Sequence, residues 1–107
     1  IHVEAPDECG HRHEIQNKVK SIELIDEKIL SRLIYAFDKF DDYKILICPD
    51  HPTPLRLKTH TNDPVPFLIY QKTKKRSGVD VFTEKTAEST GYLVEKGPSL
   101  MSFFIND

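Results

Sequence analysis

The sequence predicts an α/β fold with a mostly parallel sheet flanked by helices, on three features of the chain. Ile15, Val19, Ile22, Ile25, Ile29, Leu33 and Phe37 recur at three- and four-residue steps, the spacing of one apolar helix face. Lys44-Ile45-Leu46-Ile47-Cys48 is a short, nearly unbroken apolar run closed by Pro49, the pattern of a strand covered on both faces. Ile1-His2-Val3-Glu4 reads as a further extended segment ahead of the helix. Strand, helix and strand make a βαβ unit, whose crossover is right-handed.

The elements follow in order. Ala5-Pro6 closes the first strand, because the residue before a proline is driven from the helical region, and a loop is expected there. Gly10 in that loop permits a tight turn or a close backbone approach. The amphipathic helix covers residues 14–40, with Lys18, Lys20, Glu23, Asp26, Glu27 and Lys28 on its outer face and Asp38, Asp41 and Asp42 as the polar break. Pro49, Pro52 and Pro54 exclude regular structure from the next loop. Pro66-Phe67-Leu68-Ile69-Tyr70 is a third strand, with the proline tolerated at its first position. Residues 72–78 form a loop. Thr83 caps a short helix that runs through Ser89 and ends at Gly91. Residues 98–105 form a last apolar helix with Pro98 in its first turn. No internal repeat or low-complexity segment is present.

The 107 residues suffice for one small domain. Charged residues make up 30% and hydrophobic residues 38%, an ordinary soluble balance. A net charge of -2 argues against a general nucleic-acid binder, since no excess of Lys or Arg can displace counterions. The only basic run, residues 72–76, reads as a solvated loop. No apolar run reaches about 18 residues, so no membrane span is expected. No signal peptide is recognisable. Cys9 and Cys48 are too few for a disulfide framework, which makes the cytoplasm the expected compartment. The chain opens without an initiator Met on a strand that runs straight into polar residues, and this suggests a piece of a longer protein.

Three short clusters carry the chemistry: Asp7-Glu8-Cys9-Gly10-His11, Asp50-His51 and Thr59-His60-Thr61. Asp7 follows the first strand and Asp50 the second, so a βαβ unit places both at the carboxyl edge of the sheet, where ligands bind in open α/β folds. Asp and neutral His offer oxygen and nitrogen donors suited to Zn²⁺ or Mn²⁺. Asp7 and His11 alone also fit a capping Asp and a surface His, and spacing does not prefer His11 over His2 or His13. Adjacent Asp50 and His51 point apart in extended chain and fit two different metals, or one metal and a neighbouring group; a turn-capping Asp is the plainer alternative. His60 fits a ligand, a general base or a surface residue. Cys9 fits a thiolate ligand or a packed residue, and Cys48 is read as core. Glu4 and Glu8 could accept from ligand imidazoles or simply be solvated. Arg56 and Lys58 could receive a phosphate or carboxylate, or line a solvated edge.

Three stretches resemble the cofactor-independent phosphoglycerate mutases, in particular the archaeal-type branch and its bacterial relatives in the alkaline phosphatase superfamily. They are Val3-Glu4-Ala5-Pro6-Asp7-Glu8-Cys9-Gly10-His11, Pro49-Asp50-His51-Pro52-Thr53-Pro54, and Thr59-His60-Thr61-Asn62-Asp63-Pro64-Val65-Pro66-Phe67. The resemblance covers nearly the whole chain. It implies that residues 1–107 are the C-terminal portion of the metal-binding phosphatase-like domain, part of a three-layer sandwich with a mostly parallel sheet, without the N-terminal portion and the inserted phosphotransfer domain. It implies two divalent metal ions, Mn²⁺ or Zn²⁺, and no use of 2,3-bisphosphoglycerate. By position, Asp7, His11 and His60 would hold one ion, and Asp50 and His51 the other. In the family an Asp and a nucleophilic Ser near the N-terminus complete the second site, and neither has a counterpart here. Arg12-His13-Glu14 departs from the family at a place where many relatives carry a Gly-Asp pair.

The implied parent enzyme is a metal-dependent mutase of glycolysis, which interconverts 3- and 2-phosphoglycerate through a phosphoserine. Its partner is a phosphorylated small molecule, with no nucleic acid and no membrane. The isolated chain, lacking the Ser, is expected to be inactive. A related bacterial subgroup implies a homoserine kinase-like reaction instead, and a non-catalytic metal-binding module is the reading from another class. A fragment should also expose apolar surface that invites self-association.

Overall fold

The computed structural model describes residues 1–106, which divide into two compact units. The first comprises Ile1–Phe40 and His51–Pro64, and the second Asp41–Asp50 and the described residues from Val65 onward.

The first unit is helical. Helix α1 spans Ala5–His11, with Pro6 in its first turn. Residues 1–4 precede it without forming a strand, so the expected first strand and ligand loop are corrected to a coil and a helix. Pro6 reads equally as a loop opener and as a first-turn residue, where its missing N–H has no partner to lose. Acidic Asp7 and Glu8 lie in the first turn and His11 in the last, an order that complements the helix dipole. The helix stops in a tight turn. The Glu14 N–H donates to the Cys9 carbonyl at 2.9 Å and the His13 N–H to the Gly10 carbonyl at 3.2 Å, the paired bonds of a Schellman motif. His13 takes the left-handed position of that motif, at φ 56°.

The expected long helix follows in three consecutive pieces: α2 (Ile15–Leu24), a π-helical segment (Ile25–Leu30) and α3 (Ser31–Phe37). The apolar stripe is only partly covered. Ile25, Ile29, Leu33 and Phe37 are half-buried, whereas Ile15, Val19 and Ile22 stay exposed. The buried centre of the unit is small and lies instead where α1 meets the loop after His51. Cys9 is 6% exposed there and Thr53 5%.

The second unit holds β1 (Lys44–Ile47) and β2 (Leu68–Gln71). They pair antiparallel, with Lys44 opposite Gln71 and Ile47 opposite Leu68. The parallel βαβ arrangement is therefore corrected: among the described residues the sheet has two strands, and residues 1–4 are not one of them. Exposure alternates along β2, as expected of an antiparallel pair open on one side. Cys48 falls beyond the end of β1 and is exposed, not core. Asp42 ties the pair together, accepting from the Gln71 side-chain amide at 2.6 Å and from the backbone N–H groups of Tyr43 and Thr73.

Helix α4 (Glu84–Ser89) begins at Thr83, whose hydroxyl accepts from the Thr86 N–H at 3.1 Å while the Thr86 hydroxyl accepts from the Thr83 N–H. Gly91 follows the helix at φ 68°, a conformation that suits glycine. Helix α5 (Ser99–Asn106) closes the described chain, and the Lys44 ammonium donates to the Phe104 carbonyl near its C-terminal end at 3.0 Å.

Candidate metal centre

Four residues apart on α1, Asp7 and His11 project from one helix face. The loop from Pro52 to Thr61 brings His60 to the same place. That loop is closed by the Thr61 N–H donating to the Pro52 carbonyl at 3.2 Å, and it turns at Pro54, whose carbonyl accepts from Leu57 and Lys58. Three side chains of the helical segment then hold it from outside. The His11 Nδ1–H donates to the Lys58 carbonyl at 2.9 Å, the His13 Nδ1–H to the Leu55 carbonyl at 2.6 Å, and the Lys18 ammonium to the Thr53 carbonyl at 2.6 Å. Lys58 sits at φ 56°, a conformation costly for a residue with a Cβ.

The donor atoms of Asp7, His11 and His60 all lie within 4.8 Å of one another. His11 Nε2 stands 3.1 Å from His60 Nε2 and 3.3 Å from Asp7 Oδ2, and His60 Nε2 stands 3.1 Å from Asp7 Oδ1. Neighbouring donors on a tetrahedral ion with bonds of about 2.0–2.1 Å are about 3.3 Å apart, and on an octahedral ion of similar bond length about 3.0 Å. Taken to one or the other Asp7 oxygen, the observed distances are of the size a single divalent ion requires. The tautomer of His11 fits as well. A carbonyl only accepts, so His11 carries its proton on Nδ1 and keeps the Nε2 lone pair for the centre. The hydrogen bond from Thr53, ahead of the charges of His11, His60 and His51, holds the Asp7 carboxyl below the usual carboxylate range against the opposing effect of burial. An ionised oxygen donor and an imidazole with an oriented lone pair are what such an ion requires.

His51 joins the edge of this group. Its ring lies against that of His60, with centroids 3.7 Å apart, and its Nδ1 is 3.4 Å from the Pro52 carbonyl and 3.3 Å from the Thr53 hydroxyl. Asp50 is exposed and belongs to the second unit. Of the five candidates, Asp7, His11 and His60 thus converge, with His51 beside them. The other candidates take different places. Glu8 pairs with Arg12 at 3.3 Å and Glu4 lies 3.8 Å from His2, so backbone carbonyls, not these carboxylates, orient the imidazoles. Cys9 is packed and Arg56 exposed. Lys72, Lys74, Lys75 and Arg76 of the basic run line a cavity of about 350 Å³ in the second unit together with Lys44 and Tyr70.

Thr53 is the residue that sequence reasoning passed over. Its hydroxyl donates to Asp7 Oδ1 at 2.5 Å. A threonine between two prolines gives no chemical signal by itself; its importance comes from its burial against Gly10. The spacing of Asp7 and His11 is helical, but Pro6 signals a loop as readily as the first turn of a helix.

No helix among the described residues is long and apolar enough to cross a membrane. The family model described as the Metalloenzyme superfamily matches residues 1–107. Among curated proteins, a "probable 2,3-bisphosphoglycerate-independent phosphoglycerate mutase" from Geobacter sulfurreducens is 45% identical over 107 residues, covering 99% of this chain and 27% of that protein. The 2,3-bisphosphoglycerate-independent phosphoglycerate mutases of Methanothrix thermoacetophila and Methanosarcina mazei are 37% and 39% identical, each over 98% of this chain and 27% of their own length. The chain thus spans about a quarter of the length of these relatives. No solved structure matches it.

Proposed function

Because this chain belongs to the metalloenzyme superfamily, we propose that it is the C-terminal, metal-binding portion of a cytoplasmic enzyme that interconverts 3- and 2-phosphoglycerate without 2,3-bisphosphoglycerate. The convergence of Asp7, His11 and His60 on one point carries this reading. The names of the relatives supply the reaction and the phosphorylated small-molecule substrate. The parent fold is a three-layer sandwich to which this chain contributes one part.

Asp7, His11 and His60 hold one divalent ion, Mn²⁺ or Zn²⁺, through an ionised carboxylate and two imidazole nitrogens. Asp50 and His51 contribute to a second ion, for which two protein ligands are too few without residues from outside this chain. When bound, such a pair of ions would supply Lewis-acid activation of a serine from outside this chain and charge stabilisation of a phosphoryl group. The chain's own share is to position. The Lys58 carbonyl fixes the His11 ring, and the closed loop from Pro52 to Thr61 carries His60. The nucleophile lies outside these residues, so the 107-residue chain alone has no mutase activity.

The test is an assay of the complete gene product with 3-phosphoglycerate, before and after chelation. Chelator-sensitive formation of 2-phosphoglycerate without added 2,3-bisphosphoglycerate is the expected result. Phosphorylation of homoserine with no mutase activity, or activity indifferent to chelation, would reject the proposal, as would turnover by the 107-residue chain alone.

A further inference from the structure

The geometry points to Thr53 as a positioning residue that orients Asp7 and His51 through one hydroxyl group. The inference rests on the reading of Asp7, His11 and His60 as metal ligands and extends it to a residue that donates nothing to the ion.

Three observations carry it. Thr53 is 5% exposed, a buried polar residue in a chain with little buried surface, so its hydroxyl must be satisfied internally. Its one proton goes to Asp7 Oδ1, because an ionised carboxylate only accepts. The hydroxyl oxygen is then an acceptor toward His51 Nδ1, 3.3 Å away. The Pro52 carbonyl faces the same nitrogen at 3.4 Å and also only accepts. Both neighbours therefore place the His51 proton on Nδ1 and leave Nε2 with the lone pair. A single relay, from the His51 Nδ1–H to the Thr53 oxygen and from the Thr53 proton to Asp7, links a member of each ligand set.

The backbone holds this hydroxyl in register. The Thr53 carbonyl receives the Lys18 ammonium, and a Cβ on Gly10 would stand 2.6 Å from that carbonyl oxygen and 2.8 Å from the Thr53 methyl. Thr53 is thus pressed on the α1 backbone at Gly10, directly before His11, with room for no bulkier contact. Asp7 cannot rotate freely while the hydroxyl holds one of its oxygens.

Valine keeps the shape of Thr53 and removes the hydroxyl; serine keeps the hydroxyl and removes the methyl. Calorimetric titration of the 107-residue chain with Mn²⁺ should show Thr53→Val binding about 10–100-fold more weakly, the usual loss when an outer-shell partner of a ligand is removed, and Thr53→Ser close to the unsubstituted chain. Nitrogen-15 NMR of the metal-free unsubstituted chain should show His51 in its Nδ1–H form, a readout that does not depend on any variant folding. Equal Mn²⁺ affinity in Thr53→Val, or an Nε2–H form of His51, overturns the role of Thr53 and leaves the ligand reading standing. Failure of the unsubstituted chain to bind Mn²⁺ overturns both.

Discussion

The Nε2 atoms of His11 and His60 face each other at 3.1 Å. His11 has its proton on Nδ1, held by the Lys58 carbonyl, so its Nε2 is bare. Two bare lone pairs at that distance repel, and the proton between them belongs to His60, which also directs it toward Asp7 Oδ1. A metal ion at the centre needs both lone pairs. Nitrogen-15 NMR should therefore find His60 as the Nε2–H tautomer without metal and as Nδ1–H with Zn²⁺, while His11 keeps its tautomer. A His60 ring already in the Nδ1–H form before Zn²⁺ is added would contradict this.

Gly10 should not tolerate a side chain. A Cβ there would meet the Thr53 carbonyl oxygen at 2.6 Å, and this contact is backbone that has no rotamer with which to move aside. Overpacking of this kind costs about 1–3 kcal/mol, against a helix-propensity gain of roughly 0.8–1.0 kcal/mol for Ala over Gly. Urea denaturation should show Gly10→Ala destabilised. Gly97→Ala, where nothing lies within 4 Å, serves as the control and should show no such loss.

Lys58 offers the opposite case. Its side chain is exposed and its backbone is held at φ 56°, so that its carbonyl reaches His11. A left-handed residue with a Cβ carries about 1–2 kcal/mol of strain, and glycine relieves it while adding roughly 0.5–1 kcal/mol of chain entropy to be lost. Lys58→Gly should raise the unfolding free energy by the difference, up to about 1.5 kcal/mol, and leave metal affinity in place. A destabilised Lys58→Gly would show that the lysine side chain has a role that the structure does not assign.

The second unit should lose stability in acid through Asp42. The Gln71 amide, followed by Thr73 and the Tyr43 N–H, holds this carboxyl below its ordinary value, while desolvation opposes them. A carboxylate with a depressed folded pKa contributes its full stabilisation above the unfolded value, about 3.9. That contribution falls away as pH drops through the folded value below it. Asp42→Asn should be less stable than the parent at neutral pH, with the gap closing below about pH 4. A gap independent of pH would contradict it.

How far the sequence could be read depended on whether the signals were local. The helix after Thr83 was fully legible, because a capping threonine and a left-handed Gly91 act within their own few residues. The long apolar stripe foretold the helix but not the π-helical segment at Ile25–Leu30, nor the exposure of Ile15, Val19 and Ile22, which depends on what packs against them. Lys44–Ile47 and Leu68–Gln71 were recognisable as strands, yet their antiparallel pairing is a long-range choice that an apolar run does not encode. At the candidate metal centre, residue types offered several ligands, and the family resemblance, not spacing, selected Asp7, His11 and His60. The hydroxyl of Thr53 and the carbonyls of Leu55 and Lys58 were invisible, because any residue supplies a carbonyl and only the folded loop aims it.

Calorimetric titration of the 107-residue chain with Mn²⁺ or Zn²⁺, beside His11→Ala, tests the central claim most directly. The account predicts one tight site in the chain, its loss in His11→Ala, and weak or no binding at Asp50 and His51. No binding, two tight sites, or a His11→Ala variant that binds like the parent would contradict it.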